Sequence, residues 1–521
     1  MEISLSLSGG GFRATAYHLG VLFYLDKLVL SNGDKLLDHV NVISGISGGS
    51  LTALWFIQGE IKRRSRALIF RELYHILENA NVAKDILDTN FNVEDPNCKF
   101  TECLSKIYSE LFFKDDVFQT ILDGIQQCHV HHFSVDATDF STALPFRFQA
   151  TKKMPGRFPY GYIGNKKCNI PRDLAGTLKL ADIMAASSCF PIAFEPFVID
   201  SSYNERFKNS AFMADQRQIV LMDGGIIDNL GIDPIMRAYE QMKPKKIDLM
   251  ILSDVTQKSI PQYIAHECCE KKETTERLYN KYKRLVKLIK YICMISFLCL
   301  LFSFWVNTLP LLWLGVLLPC LGFLWVNHKY VDPWLKLPPT SYNGLDIPLS
   351  KFMKVRLKYL IEFTMNRVKS SYIMVNNIVM SHIRRVSLNS LYTNPFLKNR
   401  VILNAQYTLI SEGKWKDDMM HKDYLPTLMR PSQKILEVTD EAHSMPTTLW
   451  FSEEDIDNKK IDKLIACGEY TICWNLLEYI CGLELESNKG KLGPLVNLKK
   501  QLLKDWNKFN ENPLFMVNRI K

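Results

Sequence analysis

Within its first sixty residues the chain repeats one pattern: a short β-prone run, a cluster of glycines, then a helix. Residues 2–8 alternate as a strand and run into Gly9-Gly10-Gly11, after which a helical pattern extends from about Ala14 to Leu30. Val40 to Ser44 reads as a second, buried strand that enters Gly45-Ile46-Ser47-Gly48-Gly49 and then a helix through Leu54, Trp55 and Phe56. Strand, tight turn, helix, repeated in this way, points to an α/β fold around a parallel sheet. Later strand signals lie at Phe133–Gln149 with a break at Pro145, at Ile219–Met222, at Asp248–Leu252 and at Val401–Ile410. Helical patterns occupy about 60–124 (polar, read as an insertion or cap), Leu178–Ser188, Lys351–Val386 and Ile461–Cys481. Leu495, Leu498, Leu502, Trp506 and Phe509 form a helical stripe expected to pack on the protein's own surface.

The next constraint is an apolar run. From Tyr291 to Val326 there is no charged side chain over 36 residues. A single straight helix of that length would reach ~54 Å, beyond a hydrocarbon core of ~30 Å. A break at Asn307-Thr308-Leu309-Pro310 leaves two helices of about sixteen residues, near the lower limit for crossing. The segment is therefore read as a transmembrane or re-entrant helical hairpin. Trp305, Trp313 and Trp325 stand near its helix ends, Lys281, Lys283, Arg284, Lys287 and Lys290 precede it, and Lys329 follows it. Cations on both sides place both flanks in the cytosol.

The balance of the composition is that of a globular protein, with 47% hydrophobic and 23% charged residues among 521. The formal charge of +9 is a mild excess spread over a long chain, which argues against a nucleic-acid partner. Thirteen cysteines at scattered spacing, with no CxxC pair, fit reduced thiols in the cytosol rather than a disulfide framework or a zinc site. If the glycine loop at Gly9 is functional, no room remains ahead of it for a secretory signal, so the N-terminal region is expected to stay in the cytosol.

Three short motifs carry chemistry. Gly45-x-Ser47-x-Gly49 sits between a strand and a helix, the setting in which a serine on a sharp turn becomes an exposed nucleophile. Neighbours without side chains let the backbone tighten and a substrate carbonyl approach, and the helix start favours developing negative charge. Gly9-Gly10-Gly11-Phe12-Arg13 can aim several amides at one point, either a phosphate or an oxyanion. With Ala14 it also fits a dinucleotide fingerprint, but that reading needs an acidic residue at the end of the next strand, and the serine turn stands there instead. For the base, His421 and His443 fit a triad in chain order but lie in no recognisable strand-end loop. Asp223 is the better candidate: it ends the strand Ile219–Met222 and is followed by Gly224, Gly225 and Asn229.

In order and context these elements resemble the patatin-like phospholipases: Ser8 to Ala14, Gly45 to Gly49 and Asp223-Gly224-Gly225, with similar intervening blocks at Asp136–Asp139, Ala185–Pro191 and Asp223–Leu230. The resemblance covers roughly residues 2–255, with 356–480 as a divergent C-terminal part. It implies a three-layer fold with a central, mainly parallel sheet. It also implies a Ser–Asp dyad without histidine, with Ser47 as nucleophile and Asp223 as base. The oxyanion hole then falls in Gly9, Gly10, Gly11, Phe12 and Arg13, around the amides of Gly10 and Gly11. Arg13 would hold that loop or a lipid phosphate.

The organisation expected is a catalytic core over 1–255 with a helical insertion at about 60–125, a basic linker and membrane hairpin over 256–340 (apolar 291–326), and a mostly helical region over 341–521 that completes or packs on the core. The function implied is a membrane-anchored serine lipid acyl hydrolase of the phospholipase A or lysophospholipase type, acting on membrane phospholipid or lysophospholipid without cofactor or metal. An inert membrane-tethered scaffold and a lipid acyltransferase are the alternatives, and a homo-oligomer is compatible with the sequence. His129, His131 and His132 are read as a solvated loop, Lys62-Arg63-Arg64 with Arg66 as a solvated face, and Asp139 and Asp228 as turn or capping residues.

Overall fold

The computed structural model describes residues 1–82, 84–85, 99–153, 162–191, 193–215, 218–241, 246–256, 275–306, 310–331, 357–423, 425–485, 495 and 498–521. It divides into two compact units, 1–260 with 375–521, and 261–374.

The first unit is built on one mixed sheet. Strands β1 (Ile3–Leu7), β2 (Val40–Ile46), β3 (His132–Asp139), β7 (Leu249–Asp254) and β8 (Val401–Ala405) form its parallel body in the order β3-β2-β1-β7-β8. Strands β4 (Leu144–Thr151), β5 (Phe197–Asp200) and β6 (Gln218–Asp223) are added antiparallel beyond β3. Side-chain alternation splits each inner strand between two faces. In β7, Leu249 and Ile251 enter the main core, while Met250 and Leu252 enter a smaller one with Val42, Ile235 and Leu391. Helices therefore cover both sides of the sheet, giving three layers.

Helices α1 (Gly11–Lys27) and α2 (Gly48–Ile61) are buried nearly all round, as expected of helices with no polar stripe. Helix α3 (Arg66–Asn79) corrects the reading of 60–124 as a polar cap. Ile69, Phe70, Leu73, Tyr74 and Leu77 lie at helical spacing and join the main core, so only the outer face is polar. Pro145 is the second residue of β4, where a strand tolerates a missing amide; β4 pairs with β3 along its length, and Arg147 also bridges Gly164. Helix α4 (Leu180–Ser188) follows.

Residues 375–521 belong to the same unit. Beyond helix α7 (Met380–Thr393), β8 extends the sheet but spans only Val401–Ala405, after which the chain tightens into a 3-10 turn at Gln406–Leu409. The long helix α8 (Lys460–Leu485) runs against α1 at close range: a Cβ on Gly20 would overlap the Ile465 carbonyl, and one on Gly468 the Tyr17 carbonyl. Helix α9 (Leu498–Glu511) buries Leu498, Leu502, Trp506 and Phe509 against the protein's own core.

The second unit contains helices α5 (Thr275–Val306) and α6 (Pro310–Val326). They pack on one another through Cys293, Leu300 and Leu317 and leave Ile295, Leu298, Phe302, Leu318 and Trp325 exposed. The first helix is 32 residues long because the lysine-rich stretch before the apolar run is helical too. Pro310 opens the second helix, where its missing N–H costs nothing. Of the expected break, 307–309 lie outside the described residues, as do Pro338 and Pro339.

Candidate active site

The register of β3 explains why two residues 176 positions apart become neighbours. Strand β4 takes the whole of one edge of β3, pairing from His132 to Asp139. The other edge is shared: β2 pairs with His132–Asp136 in parallel, and β6 pairs with Ala137–Asp139 in antiparallel. The two strands therefore run toward each other and meet end to end, Ile46 opposite Asp136 and Asp223 opposite Ala137. Ser47 is the next residue beyond Ile46.

Ser47 turns the chain from β2 into α2 with φ 50° and ψ −121°, a left-handed conformation that costs a non-glycine residue about 1–3 kcal/mol. Such strain is held by its surroundings. A Cβ on Gly48 would overlap the Gly11 carbonyl, and one on Gly9 would strike the Asn229 carboxamide and press on the Ser47 Cβ. Gly45, Gly49, Gly224 and Gly225 are likewise points of close backbone or side-chain approach.

Asp223 is 3% exposed. Burial raises its carboxyl to about 6, against the stabilising pull of the Gly225 amide and the Ser47 hydroxyl. Its Oδ1 accepts from Gly225 N–H at 2.7 Å. At neutral pH it is an ionised, poorly solvated acceptor beside a serine hydroxyl, as a general base should be. Among the described residues no histidine is bonded to Ser47 or Asp223. His18, the imidazole joined to the glycine loop, bonds the Ser8 carbonyl at 2.9 Å and the Ser253 hydroxyl at 2.8 Å, and burial lowers it to about 4.

The glycine loop is fixed from several directions. Gly9 N–H donates to the Asn229 carbonyl at 3.1 Å and Phe12 N–H to the Thr448 carbonyl at 2.8 Å. Those two amides are committed, which leaves the amides of Gly10 and Gly11, at φ 150° and 60°, as the candidate oxyanion donors. Arg13 is buried, and desolvation lowers its guanidinium to about 10 although Asp254 opposes the shift. It donates to the Met445 carbonyl at 2.7 Å and the Val255 carbonyl at 3.1 Å. Of the two roles open to it, holding the loop is the one this geometry supplies.

The turn or capping roles of Asp139 and Asp228 are observed. Asp139 accepts from the amides of Ser141 and Thr142, and Asp228 from that of Asp233 at the start of the helix Ile232–Gln241. The histidine cluster is not a solvated loop. His132 is buried on β3, and His129 pairs with Glu60 of α2 at 3.1 Å. Glu60, Cys128 and His129 place possible ligand atoms within 4.8 Å of one another. However, Arg66 already binds both Glu60 oxygens, at 3.1 and 3.2 Å. Burial disfavours charge on His129, yet its contacts with Cys128 and Glu60 raise it to about 9, which favours the protonated ring at neutral pH. Arg66 also reaches Asp26 and Asp38, making it the centre of an ion cluster rather than part of a solvated face. The sequence reading missed Ser187, Thr448 and Met445 as residues touching the site, because each acts through contacts far away in the chain.

A model of the patatin-like phospholipase family matches residues 5–236. No curated protein matches the chain. Among solved structures, human GIVD cytosolic phospholipase A2 aligns at 14% identity and a TM-score of 0.31, covering 48% of this chain and 42% of that one. The same human enzyme with methyl gamma-linolenyl fluorophosphonate aligns at 16% identity and a TM-score of 0.24, covering 35% and 28%. The chain thus spans less than half the length of the structures it is compared with. Residues 5–236 of this chain belong to the patatin-like phospholipase family.

Proposed function

We propose that the chain is a membrane-anchored serine lipid acyl hydrolase of the phospholipase A or lysophospholipase type, in which Ser47 and Asp223 form the catalytic dyad. The observation that carries this reading is the Ser47 hydroxyl, on a strained turn, facing a buried carboxylate. Asp223 takes the hydroxyl proton as Ser47 Oγ attacks the ester carbonyl. The amides of Gly10 and Gly11 receive the oxyanion, and the proton passes from Asp223 to the departing alcohol, leaving an acyl-serine. A water then gives its proton to Asp223 and attacks the acyl carbon, releasing fatty acid and restoring the hydroxyl.

Helix α5 supports anchoring. Arg277–Ser303 is long enough to cross a bilayer, and its most apolar stretch is mostly exposed. Lys281, Lys283, Arg284, Lys287 and Lys290 crowd its first half, which suits anionic headgroups at a cytosolic surface. Anchoring would keep the dyad at high local concentration of lipid. The test is fatty-acid release from phospholipid vesicles. Ser47→Ala and Asp223→Ala should each abolish it, and full activity in both defeats the proposal. Removing 291–326 should depress vesicle hydrolysis more than hydrolysis of a soluble short-chain ester, and equal losses defeat the anchoring role.

A further inference from the structure

We infer that Ser187, in the last turn of α4, is a positioning residue that locks the Ser47 turn to the Asp223 loop. The inference rests on the dyad reading above. Strands β2 and β6 meet end to end at β3, so no ladder hydrogen bond joins Ser47 to Asp223 directly. The junction is spanned instead by the chain from Ser187 to Cys189. Ser187 Oγ–H donates to the Asp136 carbonyl at 2.7 Å. With its one proton used there, the oxygen accepts from Ser47 N–H at 3.1 Å and from the Ser50 hydroxyl at 2.9 Å. The backbone completes the bridge: Gly224 N–H donates to the Ser187 carbonyl at 3.4 Å and Asp223 N–H to the Cys189 carbonyl at 3.1 Å.

One fully buried side chain thus ties the nucleophile's amide to β3, and its own backbone ties down the acid's loop. The direction of each bond is forced, because Ser47 N–H can only donate and the Asp136 carbonyl can only accept. Without the Ser187 hydroxyl, Ser47 N–H and the Ser50 hydroxyl lose their acceptor and the Asp136 carbonyl its donor. The φ 50° conformation of Ser47 then loses its side-chain anchor. The hydroxyl's hydrogen bonds go to Asp136, Ser47 and Ser50, in the frame that holds the dyad, so its loss should slow chemistry without weakening substrate binding.

The experiment is steady-state hydrolysis of a short-chain ester by full-length wild type and Ser187→Ala, with kcat divided by the number of sites a fluorophosphonate labels. A roughly ten- to hundredfold fall in kcat per labelled site is expected, with KM unchanged, as for a sub-ångström misplacement of reacting groups. A purely structural role would lower the number of labelled sites and leave kcat per site as in the wild type, and that result overturns the inference. Should the alanine form not accumulate, Ser187→Cys keeps the shape with a weaker hydrogen-bonding group. It should give an intermediate kcat per site, and a wild-type value overturns the inference equally. Failure of the dyad reading is distinguishable, since the wild type itself would then not be labelled at Ser47.

Discussion

Replacing Asp223 by asparagine should cost the enzyme its activity and make the fold more stable. The carboxyl is 3% exposed and is raised from 3.8 to about 6, chiefly by burial. A rise of about two units corresponds to about 3 kcal/mol by which the folded state disfavours the ionised form. The sign follows from proton binding. Between pH 3.8 and about 6 the folded protein holds a proton that the unfolded chain has released, so stability falls as pH rises through that window and levels off above it. Asparagine keeps the shape and can still accept from the Gly225 amide, but it carries no charge to bury. Asp223→Asn should therefore be more stable than the wild type by up to ~3 kcal/mol at pH 7.5, and by little at pH 4. For a unit of roughly 400 residues, unfolding entropy near 2 cal/mol/K per residue turns this into a rise in Tm of about 3–4 °C. Paired thermal melts at pH 4.5 and 7.5 measure it, and ester hydrolysis should drop at least about a hundredfold. A variant no more stable at pH 7.5 than the wild type, or a difference that does not change with pH, would refute the claim that the protein carries a buried charge at this position.

Gly9→Ala places a methyl against Asn229 and the Ser47 Cβ, so kcat should fall by more than about tenfold while far-UV circular dichroism is retained. Glu469 of α8 is fully buried with neither carboxylate oxygen hydrogen-bonded among the described residues, and burial holds its pKa well above the usual range although Arg519 opposes the shift. Its stability contribution is therefore present at acid pH and fades as pH rises, and Glu469→Gln should flatten that decline in melts from pH 5 to 9. Arg13→Lys keeps the charge but cannot reach both the Met445 and Val255 carbonyls, so it should lower hydrolysis per mole and Tm together.

How much of this could be read from the chain depended on distance along it. Ser47 and Asp223 were legible because each announces itself locally, one by glycines two residues either side and the other by a strand ending in two glycines. That they meet end to end across β3 was not legible, since it depends on the register of three strands. The glycine loop was recognisable, but the partners that commit its amides and hold Arg13, Thr448 and Met445, lie more than 400 residues away. The histidines at 129–132 were misread because the carboxylate that pairs with His129 sits on α2, about 70 residues earlier. Helix α3 looked polar when averaged over its length, and only its periodicity carries the buried face. Strand β5 gave no signal at all, being four residues behind Pro196.

The most direct measurement of the central claim is the pH dependence of the rate at which a fluorophosphonate modifies Ser47, followed by intact mass spectrometry from pH 4.5 to 9. If Asp223 activates Ser47, the rate should rise with a single midpoint near 6 and stay flat above it, and in Asp223→Asn the rise should vanish and the rate stay low. A midpoint near 6 that survives in Asp223→Asn would contradict the account.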